Sequence, residues 1–159
     1  MNKNLIKKVC DESQYLAVNA QTNATNYGFN MITKYPRADF VVIDHLEARL
    51  AAHDRDSPIE DVILELGFKN IIVTMGTQGA VGYDGKFERQ TALTDKVVDT
   101  MGAGDAFLAV TSLYAAVGVP MHDLIKIIID VDETIIVVVL IKTVVRDLIK
   151  VQMISRKKL

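Results

Sequence analysis

The sequence predicts an α/β fold built on a mostly parallel sheet. Three observations lead there. Short buried-strand runs alternate with segments of helical period, Asp84-Gly85 separates two short segments as a hairpin turn does, and the stretch "VVDTMGAGDAFLAV" (97–110) carries a glycine-rich turn straight into an apolar run.

In chain order, Lys3 to Cys10 reads as the end of a helix, and Tyr15 to Val18 ("YLAV") as a short strand running into the polar string "NAQTNATN". Pro36-Arg37-Ala38-Asp39 is turn-like and precedes the strand Phe40 to Ile43. The helix that follows, "DHLEARLAA", sets Leu46, Leu50 and Ala51 on one face. A second helix start has three agreeing signals: Ser57 to cap, Pro58 at the first helical position and Glu60 to complete a capping box. Ile59, Val62, Ile63 and Leu66 make its apolar stripe, and Gly67 ends it. Asn70 to Met75 is the next strand. Gly76, Gly79 and Gly82 follow, but a dinucleotide fingerprint must open a helix, and here the sequel is the Asp84-Gly85 hairpin, so a Rossmann oxidoreductase is rejected.

The chain of 159 residues suits one domain with a real core, and a composition half hydrophobic and a quarter charged is that of a globular protein. A net charge of −2 points to no nucleic-acid or membrane surface. Cys10 is the only cysteine, which excludes a disulfide framework and a thiolate metal cluster and leaves it as a small buried hydrophobe. The basic start "MNKNLIKKVC" is followed by no apolar h-region, and the longest uncharged apolar run, Ile135 to Ile141, is too short to span a bilayer. A soluble cytoplasmic protein is the expectation. His45, His53 and His122 make no metal-ligand spacing, and Met75 and Met101 read as gap fillers.

In sheets of this kind ligands bind beyond the carboxyl ends of the strands. Polar clusters fall at those ends: Asn19 to Asn23, Asp44 to Glu47 and Thr74 to Gly79. Gly102-Ala103-Gly104 leaves backbone amides uncovered at a helix N-terminus, where they and the helix dipole attract an anion such as phosphate. Asp105 stands beside that site. On the first turn it stabilises its helix in any case, but it is also placed to accept the proton of an attacking hydroxyl during phosphoryl transfer. Asp99 and Thr100 add a second carboxylate and a hydroxyl at the loop entrance.

"DTMGAGD" (99–105) resembles the D-T-x-G-A-G-D signature of the ribokinase-like, or PfkB, carbohydrate kinases. The resemblance implies a three-layer α/β fold, with Asp105 as catalytic base and Gly102, Ala103 and Gly104 as the anion hole. Asp44-His45-Leu46-Glu47 is similar to the family's N-x-x-E motif, with Asp44 in place of the asparagine, so only Glu47 carries over as the residue that organises Mg²⁺ and phosphate. Thr74-Met75-Gly76-Thr77-Gln78-Gly79 resembles the T-x-G-x-x-G turn bordering the ATP site, which implies Thr74, Gly76, Gly79 and Thr100 on the nucleotide side. Asp99 matches the position beside which the family holds a monovalent cation, K⁺. Asn19 and Asn23 are candidate nucleotide- or phosphate-side groups, with loop hydrogen bonding as their plainer role. The strings "VNAQTN" and "KYPRAD" are similar to heptose-7-phosphate kinases related to ADP-heptose synthesis.

The resemblance covers about residues 15–120 and implies one partial kinase domain over 1–159, the nucleotide-binding C-terminal part of the fold, with 121–159 a divergent tail. The family's glycine-rich, sugar-binding N-terminal half has no counterpart here. The tail has no glycine or asparagine; Asp130, Asp132 and Glu133 lack calcium-loop spacing and read as a solvated turn. The expected activity is ATP-dependent phosphorylation of a sugar or sugar phosphate, the alternative being a truncated, non-catalytic nucleotide-binding or interaction module. A second copy of the chain and a separate sugar-binding half are the partners left open.

Overall fold

The computed structural model describes residues 3–22, 28–92 and 103–130. Its elements run α1 (Lys3–Glu12), β1 (Ala17–Val18), β2 (Phe40–Asp44), α2 (His45–Ala52), α3 (Ile59–Leu66), β3 (Ile71–Thr74), β4 (Ala80–Tyr83), β5 (Phe87–Gln90), α4 (Ala103–Ala116) and α5 (Met121–Leu124), with 3-10 turns at Ile32–Lys34, Gly76–Gln78 and Ile125–Asp130. They belong to the compact unit Met1–Ile129, apart from Asp130 at the end of the last turn. Gly102 and the tail from 131 onward, with Ile135 to Ile141, Asp132 and Glu133, lie outside the described residues.

The strands form one sheet in the order β1-β2-β3-β4-β5. β1, β2 and β3 are parallel, with Ala17 opposite Phe40 and Asp44 opposite Thr74; β4 and β5 then turn back antiparallel. The Asp84-Gly85 hairpin forms as expected, with Gly85 at φ +110 and Tyr83 paired to Phe87.

The layers follow from strand alternation. Val41, Ile43, Ile71, Val73 and Val81 face one way, against Ile6 and Cys10 of α1, Ala48 and Ala51 of α2 and Ile59, Val62 and Ile63 of α3. Phe40, Val42, Ile72 and Ala80 face the other, against Phe107 of α4 and Met121 and Leu124 of α5. Helices on both faces make the three-layer α/β arrangement. Phe40, Ile71, Ile72 and Val73 are fully buried, and each such side chain contributes about 1.5–3 kcal/mol. Thr111 is fully buried too; its hydroxyl donates to the Phe107 carbonyl at 2.7 Å, so α4 lays a polar residue on the sheet without orphaning it.

Three local expectations are corrected. The first strand is shorter than Tyr15 to Val18, since Tyr15 is exposed and only Ala17–Val18 pair. In α2 the buried face is Glu47, Ala48 and Ala51, while Leu46 is 56% exposed. Small residues let this helix close on the sheet, and Glu47 is drawn inward by hydrogen bonds that hydrophobic periodicity ignores. The Ser57 capping box does not form: Pro58 is extended (ψ 145) and is itself the cap position, with no side-chain cap. The Ser57 amide donates instead to Asp54 at 3.0 Å, and Glu60 pairs with Arg89 of β5. Gly67 does end α3, at φ +70.

Arg37 ties α1 to the sheet. Its guanidinium donates to the Cys10 and Ser13 carbonyls at 2.6 and 2.9 Å and to the Asp39 carboxylate at 2.6 Å. Asp39 in turn accepts the Leu16 amide at 2.7 Å. Cys10 is buried, as expected, with its thiol 3.6 Å from the Arg37 carbonyl.

Candidate functional site at the carboxyl ends of the strands

Parallel pairing brings three segments distant in sequence to one rim of the sheet. Asn19 follows β1 directly, Asp44 ends β2, and Thr74 ends β3 beside Asp44. α4 packs across β1 and β2 and sets its first turn over the same rim. There the Asn19 amide Nδ2 donates to Asp105 Oδ1 at 2.9 Å. Asp105 is exposed and Asn19 half-buried. The backbone of Ala103 and Gly104 forms the opening of α4, where the N–H groups of a first turn have no partner within the helix. Asn23, Asp99, Thr100, Met101 and Gly102 lie outside the described residues.

Glu47 is 8% exposed. Its Oε1 accepts the Thr22 amide at 2.8 Å and its Oε2 the Asp44 amide at 3.2 Å, while the Glu47 amide donates to Asp44 Oδ1 at 2.8 Å. Glu47 and Asp44 thus form a reciprocal capping box at the head of α2. Burial pushes the Glu47 carboxyl above its ordinary range, and the nearby Asp44 charge adds to this; the amide hydrogen bonds work the other way. Among the described residues no group of three or more His, Cys, Asp and Glu side chains is placed to hold a metal ion.

Thr74 to Gly79 makes a tight turn in which Met75 N–H donates to the Gly79 carbonyl at 2.8 Å and Gly79 N–H to the Gly76 carbonyl at 2.9 Å. Gly79 sits at φ +91, and a Cβ there would stand 1.9 Å from the Gln90 carbonyl oxygen, so β5 closes over the turn only because this residue is glycine. Gly76 is different: at φ +56 it is exposed and surrounded by open space, so its backbone can be approached from solvent.

Hollows of about 420 and 430 Å³ open at the opposite end of the sheet, where Ala38, Asp39 and Lys69 line both. The chemistry-bearing groups are at the other rim, and the rim is taken as the site. Sequence reading places Asn19, Glu47, Thr74, Gly76, Gly79 and Asp105 there singly. It misses the Asn19–Asp105 contact and the part played by Thr22. The rule that ligands sit at strand carboxyl ends is the one available signal for either.

Fold and rim together describe a three-layer α/β protein with its polar groups gathered at the carboxyl ends of the parallel strands of a mixed sheet. The chain belongs to the pfkB family of carbohydrate kinases, whose family model matches residues 5–127. It is 38% identical over 77 residues to fructoselysine 6-kinase of Escherichia coli (strain K12), covering 43% of this chain and 28% of that one. It is 45% identical over 56 residues to an ATP-dependent 6-phosphofructokinase of Thermoanaerobacterium thermosaccharolyticum, covering 33% of this chain and 17% of that one. Among solved structures it is similar to a mutant form of phosphofructokinase-2 from Escherichia coli, with a TM-score of 0.66 at 16% identity over 81% of this chain and 45% of that one. The matches therefore span less than half the length of each of these three relatives.

Proposed function

We propose that this chain is the nucleotide-binding and catalytic part of an ATP-dependent sugar kinase. The observation that carries this is Asp105: an exposed carboxylate on the first turn of α4, at the rim where β1, β2 and β3 end, held by Asn19 at 2.9 Å. In the reaction a sugar hydroxyl attacks the γ-phosphorus of ATP. A new O–P bond forms, the bond from the γ-phosphorus to the bridging oxygen breaks, and ADP leaves with the electron pair. Asp105 takes the hydroxyl proton, and the first-turn amides of α4, with Gly102 by family resemblance, face the charge on the transferring group. Thr74 and the open backbone of Gly76 border the nucleotide, and Thr100 joins them by resemblance.

Magnesium, when bound, neutralises phosphate charge. Both Glu47 oxygens already accept backbone amides, so this residue would act on the ion through water rather than hold it directly. Asp99 is the residue proposed beside K⁺. The acceptor is proposed as a sugar or sugar-phosphate hydroxyl. The heptose-phosphate reading rests partly on "KYPRAD", and Arg37 and Asp39 of that string are engaged in tying α1 to β2, which leaves the string little weight as a substrate signal. One partial kinase domain over 1–159, acting in the cytoplasm where ATP is available, completes the proposal.

The test is calorimetry with Mg-ATP and Mg-ADP together with a coupled ADP-release assay over a panel of sugars and sugar phosphates. Nucleotide binding abolished by Gly104→Val, which crowds the first turn, is the expected result. Binding without turnover on any acceptor would favour the non-catalytic nucleotide-binding module. No binding at all would sink the kinase reading and favour a non-catalytic interaction module.

A further inference from the structure

We propose that Asn19 is a positioning residue for the catalytic base: it aims the Asp105 carboxylate, and it is not a ligand of the nucleotide. The inference rests on the reading of Asp105 as base and assigns that site a second working residue.

The geometry points one way. Asn19 directly follows β1 and lies between Val18 and Ala20, both buried, so its backbone is held by packing on either side. Its side chain reaches 86 positions along the sequence to Asp105 Oδ1, at 2.9 Å. A carboxylate can only accept, so the amide must present its NH₂ group, and the hydrogen bond is charge-assisted. With Oδ1 held, rotation of the carboxylate about its χ2 bond is restricted, and Oδ2 is left in a set direction as the proton acceptor. For an exposed aspartate on a helix's first turn this orientation does not come from packing. Three residues on, the Thr22 amide is held on Glu47 at 2.8 Å, and Glu47 is fixed by its capping box with Asp44. The segment 19–22 is therefore pinned at both ends, to the head of α2 and to the head of α4. One of the two amide hydrogens of Asn19 is taken by the base, and nucleotide affinity after loss of the side chain separates this role from phosphate binding.

Steady-state kinetics and nucleotide calorimetry on the full chain test this. For Asn19→Ala the expected result is a kcat about tenfold lower, with the KM for ATP and the nucleotide Kd within about twofold of wild type. Asn19→Asp keeps the shape but offers Asp105 no donor, so it should be no better than alanine; Asn19→Gln keeps the donor and should recover part of the rate. In an Asp105→Asn background, Asn19→Ala should cost nothing further, because it acts through the residue already removed. A readout independent of turnover is the NMR signal of the Asn19 side-chain amide, which should move in Asp105→Ala without any nucleotide present. An unmoved amide, or weakened nucleotide binding with kcat unchanged, overturns the assignment. A fully active Asp105→Asn protein overturns the base reading instead, and the amide measurement then still decides whether the contact exists.

Discussion

The Glu47 carboxylate accepts the backbone amide of Thr22, 25 residues earlier in the chain, at 2.8 Å. The bond joins the segment leaving β1 to the helix leaving β2. Removing the carboxylate leaves the Thr22 and Asp44 amides without it, so Glu47→Ala should lower stability by about 2–3 kcal/mol in chemical denaturation. A loss under about 0.5 kcal/mol would show that water replaces it freely.

The same residue predicts a pH effect. Folded Glu47 titrates above its ordinary value of 4.5, chiefly because it is buried. Below 4.5 both the folded and unfolded states hold the proton. From there up to the folded value only the folded state does, so stability falls as pH rises through that window. Glu47→Gln should remove this contribution and flatten the stability profile above pH 4.5. An unchanged slope in thermal melts across that range would contradict the assignment.

Two glycines of one turn should differ in their tolerance. At Gly79 a methyl group meets the Gln90 carbonyl oxygen at 1.9 Å and the backbone is left-handed, so Gly79→Ala should cost about 3 kcal/mol or more and open the end of β5. At Gly76 the space is open and only the backbone preference is lost, about 1–2 kcal/mol. Urea titrations of the pair should keep this order.

Arg37→Ala should detach the end of α1, since the guanidinium bonds to the Cys10 and Ser13 carbonyls and to Asp39 disappear together. About 2–3 kcal/mol is expected, with faster amide exchange in α1 than in β2. Arg37→Lys should rescue little, because an ammonium lacks the planar fork. Equal exchange in both elements would refute the clamp.

Asp105→Asn should reduce sugar phosphorylation by about a hundred- to ten-thousand-fold while nucleotide affinity stays near wild type. A base acts on the acceptor hydroxyl, so loss of ATP binding in this variant would point to a different role.

Much of this is legible in the sequence, for identifiable reasons. Phe40 to Ile43 and Ile71 to Val73 are buried on both faces and read as continuous apolar runs. Asp84-Gly85 and Gly67 are backbone signals tied to one geometry. Glu47 is marked by a motif, but its inward turn is not: hydrophobic periodicity puts Leu46 on the buried face, whereas hydrogen bonding puts Glu47 there. Ser57 shows the limit of local rules, because Asp54 competes for its amide and Arg89 for Glu60. Asn19 and Asp105 meet only when β1 and α4 are assembled, and no short window of sequence contains both.

The antiparallel return of β4 and β5 has a kinetic consequence. Residues 71–90 make a meander whose pairings close through the Gly76–Gln78 turn and the Asp84-Gly85 hairpin, whereas Ala17 must find Phe40, and Val41 must find Ile71, across whole intervening segments. Loop closure favours the near pairings first. On loop closure alone the meander pairs before β2 and β1 add to its edge, and the rim that holds Asn19 against Asp105 depends on the most distant of these pairings.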